Sequence, residues 1–165
     1  MNYLAAILLS LLLLFGSATI YATSGQLPAR VASHFDAAGL ANGFMPRGGY
    51  LLFMLVLTLG VPLLVAFVSV VVPRIAPAML KLPARDYWLA PERRDQTYAT
   101  LSTAGFVMAS IIACFLIALH FLVLSANGQT PPRLDNVLMW ALIALLIVSL
   151  LTWQWFCWRR FHNPQ

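Results

Sequence analysis

Charge is what this sequence has least of. Asp, Glu, Lys and Arg make up 9% of its 165 residues, against 61% hydrophobic residues and a mean hydropathy of +0.84. A soluble domain carries about a quarter of its residues as charged side chains to keep its surface wet. The deficit excludes a water-facing surface, so the solvent of most of the chain is lipid. Cysteine is equally sparse. Cys114 and Cys157 both fall inside apolar runs, so no disulfide framework or CxxC zinc pattern is available. Both are expected to be small, buried apolar side chains. The formal charge of +5 comes with ten basic residues that gather only at the ends of apolar runs. Nothing resembles a nucleic-acid module. Also missing are a nucleophile elbow, a phosphate loop, paired carboxylates inside an apolar run and any haem or quinone pattern. No cofactor and no enzymatic chemistry are expected, and no charged residue stands mid-run to carry an ion or proton. Without a linker or low-complexity tract, residues 1–165 read as one domain.

What is there is four apolar runs, at about 4–23, 50–72, 97–124 and 137–156. Some 20 such residues at a 1.5 Å rise cross a ~30 Å hydrocarbon core, so the expected fold is an all-α, four-span membrane protein. The first run competes with a cleaved signal peptide, because Gly16-Ser17-Ala18 offers small residues. Against cleavage, no Lys or Arg precedes the run and apolar character continues through Ile20 and Tyr21. Gly48-Gly49 precedes the second run as a flexible start, Pro62 bends it and Pro73 ends it. APERRDQ reads as the start of the third helix, with Pro91 in the first turn and Glu92 where the helix dipole favours an anion. In that helix Gly105, Ala109 and Ala113 fall at four-residue spacing. They form a packing seam for another span or for a second copy of the chain, a homo-oligomer. Trp153, Trp155 and Trp158 form an aromatic belt where the fourth run finishes, and Arg159-Arg160 stop it at the headgroups.

Basic residues set the orientation. Arg74, Lys81, Arg85, Arg93, Arg94, Arg159 and Arg160 lie on one side, and Arg30, Arg47 and Arg133 on the other. The side richer in Lys and Arg is cytoplasmic, which puts both termini inside and residues 27–47 outside. In the cytoplasmic connection, Arg85, Tyr87, Trp88, Arg93 and Arg94 read as an interfacial segment on lipid headgroups or as a docking surface.

The outer loop, LPARVASHFDAAGLANGFMPR, is dense in turn signals and ionisable groups. Val31 to Phe35 suits a short extended segment, Asp36 to Gly39 a turn, and Asn42-Gly43 a dipeptide tolerant of positive φ. A compact, hairpin-like cap follows. His34 and Asp36, two apart in an extended segment, share a face. His120 near the outer end of the third span would complete a set that zinc accepts, although no HExxH-like pattern supports it. The plainer role for His120 is a hydrogen-bonded histidine near the outer interface.

The stretch LPxxVxxHFDAxGxAxGFxxR resembles the signature of a bacterial membrane domain of unknown function that also forms the first part of SdpI-type toxin-immunity proteins. The matching positions are Leu27, Pro28, Val31, His34, Phe35, Asp36, Gly39, Gly43 and Arg47. RDYWLAPERRDQT looks like a version of the R-x-YW-x-x-P-E-R-R stretch after the family's second helix, extending the resemblance over about the first 100 residues. The resemblance implies an integral protein of the bacterial inner membrane with a short outer motif. In SdpI-type members further helices follow and confer toxin resistance, but this chain has no recognisable second domain of that kind.

Two roles are therefore expected to compete. One is binding or sensing of a peptide or protein partner at His34, Phe35, Asp36, Gly39, Gly43 and Arg47. The other is an accessory subunit packed through the third span against a larger membrane complex. A metal-binding enzyme built on His34, Asp36 and His120 stands behind both.

Overall fold

The structure, a computed structural model, describes residues 3–162. The last three residues of the tail, 163–165, and residues 1–2 lie outside it. Among the described residues, four helices are long and apolar enough to cross a membrane: α1 (Tyr3–Ser24), α2 (Arg47–Ile75), α4 (Arg94–Asn127) and α5 (Asn136–His162). The short α3 (Arg85–Trp88) follows a 3₁₀ turn at Pro77–Met79. Strands β1 (Arg30–Phe35) and β2 (Ala41–Pro46) form an antiparallel hairpin between α1 and α2. The four-span fold with a structured loop after the first helix is therefore as expected.

Each helix is longer than its apolar run. At 34 residues α4 is about 51 Å long, well beyond a ~30 Å core, and its first turn is the polar Arg94, Asp95 and Gln96. Its start corrects the sequence reading. Pro91 and Glu92 belong to a turn, and Arg93 is the residue flanking the helix. Similarly, α2 begins at Arg47, so Gly48 and Gly49 are helical, and it runs through both Pro62 and Pro73 to Ile75. A proline deletes one backbone donor without ending a helix whose neighbours hold it in place. Arg159 and Arg160 do not stop α5, which continues to His162.

The interior lies among α1, α2 and α4, and α5 packs along the outer side of α4. Leu9 and Leu13 of α1, Ala66 of α2, and Phe106, Ala109 and Ala113 of α4 make one buried cluster. Where lipid surrounds a bundle, burial of hydrocarbon no longer drives association, and close backbone approach takes over. The predicted seam does this within the chain. A Cβ built on Gly105 would collide with Cβ and Oγ of Ser69 on α2. The seam is therefore occupied by α1 and α2 and does not face a second copy. Outward, Phe15, Phe53, Phe67, Trp140 and Ile147 are exposed, an apolar surface suited to lipid and too extensive for water.

Both cysteines depart from expectation. Cys114 is exposed and Cys157 half-buried, because both face the open side between α4 and α5 and not the three-helix interior.

Candidate functional site

The hairpin closes one end of the bundle. In β1, Val31 turns inward and joins Ile20, Leu27, Tyr50, Met54 and Val123 in a second buried cluster. The chain turns at 36–40, where the Asp36 carboxylate accepts from the N–H groups of Ala38 and Leu40, both at 2.9 Å. Gly39 has φ +79°, a conformation in which side chains are strained. A Cβ there would also lie 2.5 Å from the Leu134 carbonyl oxygen. The turn is thus where the sequence placed it, but Asn42-Gly43 is not a second turn. Both residues are in β2, and Gly43 pairs with His34 at an irregularity in the ladder. A Cβ on Gly43 would come 2.8 Å from Cβ of His34, so glycine serves there for room.

Several contacts fasten the hairpin to the helix ends and to the loop between α4 and α5. The Asn127 side chain accepts from the Ala32 N–H at 2.8 Å and donates to the Ala32 carbonyl at 2.9 Å. Leu134 N–H donates to the Gly39 carbonyl at 2.8 Å, beside a bridge between Leu40 and Arg133. Asn136 donates to the Ala37 carbonyl at 3.0 Å. Arg47 donates to the carbonyls of Gly25 and Leu27, at 3.3 and 3.1 Å, tying the end of α1 to the start of α2. These contacts give backbone groups at the turn partners within the chain.

Of the nominated outer residues, Asp36, Gly39, Gly43 and Arg47 build the cap. Phe35 packs beside Leu122, Ala126 and Leu134. His34 is exposed, and its Nδ1 lies 2.6 Å from Oδ1 of Asn42. Leu40 and Phe44 project as well, 44% and 47% exposed.

Beneath the cap, His120 is fully buried on α4. Its Nε2 lies 2.8 Å from Oγ1 of Thr23, and its Nδ1 lies 3.1 Å from the Tyr50 hydroxyl, so α1, α2 and α4 meet in one node. The hydroxyl of Thr23 donates back to the Thr19 carbonyl at 2.7 Å, so its oxygen accepts from Nε2–H. That leaves Nδ1 to accept from Tyr50. Donor and acceptor counts close for a neutral imidazole, which has one of each.

His120 is thus a bundle residue, and His34, Asp36 and His120 are not brought together. Among the described residues no group of three or more His, Cys, Asp or Glu side chains is placed to hold a metal ion. The set failed because His120 needs two neighbours inside the bundle, while His34 and Asp36 are engaged on the hairpin. Sequence reasoning also missed Asn127, Tyr50 and Thr23. The one signal for Asn127 was an amide at the end of an apolar helix, facing a loop with backbone to satisfy.

The nominated contact residues of the opposite end also divide. Trp88 is 5% exposed and donates from Nε1 to the Phe161 carbonyl at 2.9 Å, so its ring joins α3 to the end of α5 and offers little surface to a partner. Arg93 lies over the Tyr87 ring at 4.2 Å. Arg85 and Arg94 are exposed, and each has a long contact to its neighbouring aspartate, at 3.9 and 4.0 Å. Such solvated pairs contribute little.

No curated protein and no solved structure matches the chain. The family model described as "Domain of unknown function (DUF1648)" matches residues 11–59, a stretch that holds most of α1, the whole hairpin and the first part of α2; the RDYWLAPERRDQT segment falls outside it.

Proposed function

We propose that this chain is a non-enzymatic, multi-pass protein of a bacterial cytoplasmic membrane that binds a peptide or protein partner on its outer face through the cap, residues 27–47. The observation that carries this reading is a division of labour in the hairpin. Asp36, Gly39, Gly43, Arg47 and Asn127 fasten the cap, whereas Leu40 and Phe44 stay exposed beside the His34–Asn42 pair. Exposed apolar side chains on either side of Asn42 along the chain, on a loop already ordered, suit recognition, because little freedom is lost on binding. The excess of basic residues at the other end supports cytoplasmic termini and an outward cap. A sensing or immunity role of the SdpI type is a narrower form of this reading and rests on the resemblance of the loop.

A photo-crosslinking residue at position 44 in living cells, with one at lipid-facing position 53 as control, tests it. The expected result is a discrete polypeptide adduct from position 44 alone. It should disappear in Leu40→Ser while membrane abundance holds. Adducts to lipid only, or equal adducts from both positions, would sink the reading. Orientation is checked with Asn42→Cys and Asp86→Cys in a background lacking both native cysteines. The first should react with an impermeant maleimide on intact cells and the second should not.

One observation favours the accessory-subunit role in altered form. The third-span seam is filled, but none of the most apolar stretch of α5 is buried, so α5 is the helix left for a larger complex to cover.

A further inference from the structure

We propose that the crevice between α4 and α5 binds one anionic phospholipid, with an acyl chain along the crevice and the headgroup phosphodiester on Arg160. Two hollows of about 740 and 480 Å³ lie along these helices, the smaller also bounded by Ala5 and Leu8 of α1, and Val107, Ile111 and Ser149 line both. They therefore form one continuous crevice. The larger runs on α4 from Gln96 to Ile111, about 22 Å at the helical rise. That is enough to reach from a headgroup past the middle of a ~30 Å core.

The helices do not close because of what stands between them. Trp153 donates from Nε1 to the Ala104 carbonyl at 2.8 Å, which props α5 off a strip of small α4 residues that includes Ala99 and Thr103. Trp88, bonded to the Phe161 carbonyl, fixes the end of α5. Both contacts leave the space beside them open to the bilayer.

The larger hollow is polarised along its length. At one end stand Gln96, Thr100, Thr103 and Arg160, while the smaller hollow beyond it is lined by no charged side chain. The Thr100 and Thr103 hydroxyls donate to the carbonyls of Gln96 and Ala99, so of these four the Gln96 amide and the Arg160 guanidinium are left as donors for a ligand. Among the described residues no Asp or Glu lines the hollow. Donors and a positive charge without a carboxylate select an anionic acceptor such as a phosphodiester. The Arg160 guanidinium lies over the Trp88 ring at 4.9 Å. The ring holds it in place and leaves its N–H edge free. Basic pockets between helices on the cytoplasmic side, where the orientation proposed above puts Arg160, are where anionic headgroups bind.

The test uses the full chain, purified in mild detergent and titrated with phosphatidylglycerol or phosphatidylcholine under native mass spectrometry. One phosphatidylglycerol should be held about fivefold more tightly than phosphatidylcholine, the order expected for one arginine at the membrane surface. Soluble glycerophosphate should not displace it. Arg160→Gln should remove the preference and Arg160→Lys restore most of it. Arg159→Gln should keep it, because Arg159 lies instead over Trp155. Ser149→Phe should weaken both lipids. A measurement on the unaltered chain stands beside these: Cys157 lines the larger hollow and should react more slowly with a small maleimide in phosphatidylglycerol nanodiscs than in phosphatidylcholine ones. Equal retention of the two lipids, equal Cys157 rates, or the same loss in Arg159→Gln would overturn the proposal. So would a co-purifying helix crosslinked at Cys157.

Discussion

The side chain of Asn127 bonds both the N–H and the carbonyl of Ala32, and its second amide hydrogen goes to the carbonyl of Val123. One amide thus stands in for a third strand beside β1. Asn127→Leu leaves two backbone groups near the bundle end without partners and is expected to cost about 2–4 kcal/mol. Hydrogen exchange should show hairpin amides opening well before those of α4. Unchanged protection of Ala32 would mean that the amide is not what holds the cap.

The neutral node at His120 predicts coupling between two helices. Tyr50→Phe removes the donor to Nδ1, and Thr23→Val removes the acceptor for Nε2–H. Each is expected to destabilise the bundle, with Thr23→Val the worse because a buried donor is left without a partner. In a cycle of Tyr50→Phe with His120→Leu, the coupling should be about 0.6 kcal/mol and at most ~1.7 kcal/mol, the range for polar pairs between membrane helices. Denaturation in mixed detergent micelles measures it, and strict additivity would contradict the bond.

Gly105 and Ser69 make a size-exchange pair. Gly105→Ala drives a methyl group into Ser69 and should cost about 1–3 kcal/mol as overpacking. Adding Ser69→Gly should recover most of the loss. If the double variant is no better than the single one, α2 and α4 do not meet at these residues.

Thr58 is a stabilisation target. It is fully buried, its hydroxyl has no partner among the described residues, and Pro62, four residues on, supplies no N–H to the Thr58 carbonyl. Thr58→Val keeps the shape and deletes the unpartnered group, for an expected gain of about 1 kcal/mol. A loss of stability would instead assign a buried water to that hydroxyl.

Which parts were legible follows from what each part depends on. Four spans could be read because an apolar run of bilayer length is a local property, visible without any knowledge of neighbours. The starts of α2 and α4 were displaced because helix ends answer to tertiary support. Gly48 and Gly49 are helical although glycine disfavours it, and the favourable Pro91–Glu92 start lies in a turn. In the cap, Asp36 and Gly39 were correctly read as a turn, since the Asp36 carboxylate satisfies the turn from within. Asn42-Gly43 misled because its glycine answers to a neighbour across the ladder, His34. The zinc set and Trp88 failed for the same reason: residue types advertise a chemistry, but partners on distant helices decide it. The seam of Gly105, Ala109 and Ala113 was evident as a seam, while its occupant was a matter of topology.

The fastening of Ala32 by Asn127 spans 95 residues, and that separation has a consequence for biogenesis. A ribosome adding about 5–20 residues per second exposes the hairpin for roughly 5–20 s before the amide that secures it exists. Through that interval the newborn loop carries an unguarded strand edge at its end of the bundle. The final loop to be threaded, between α4 and α5, is the one that locks the first.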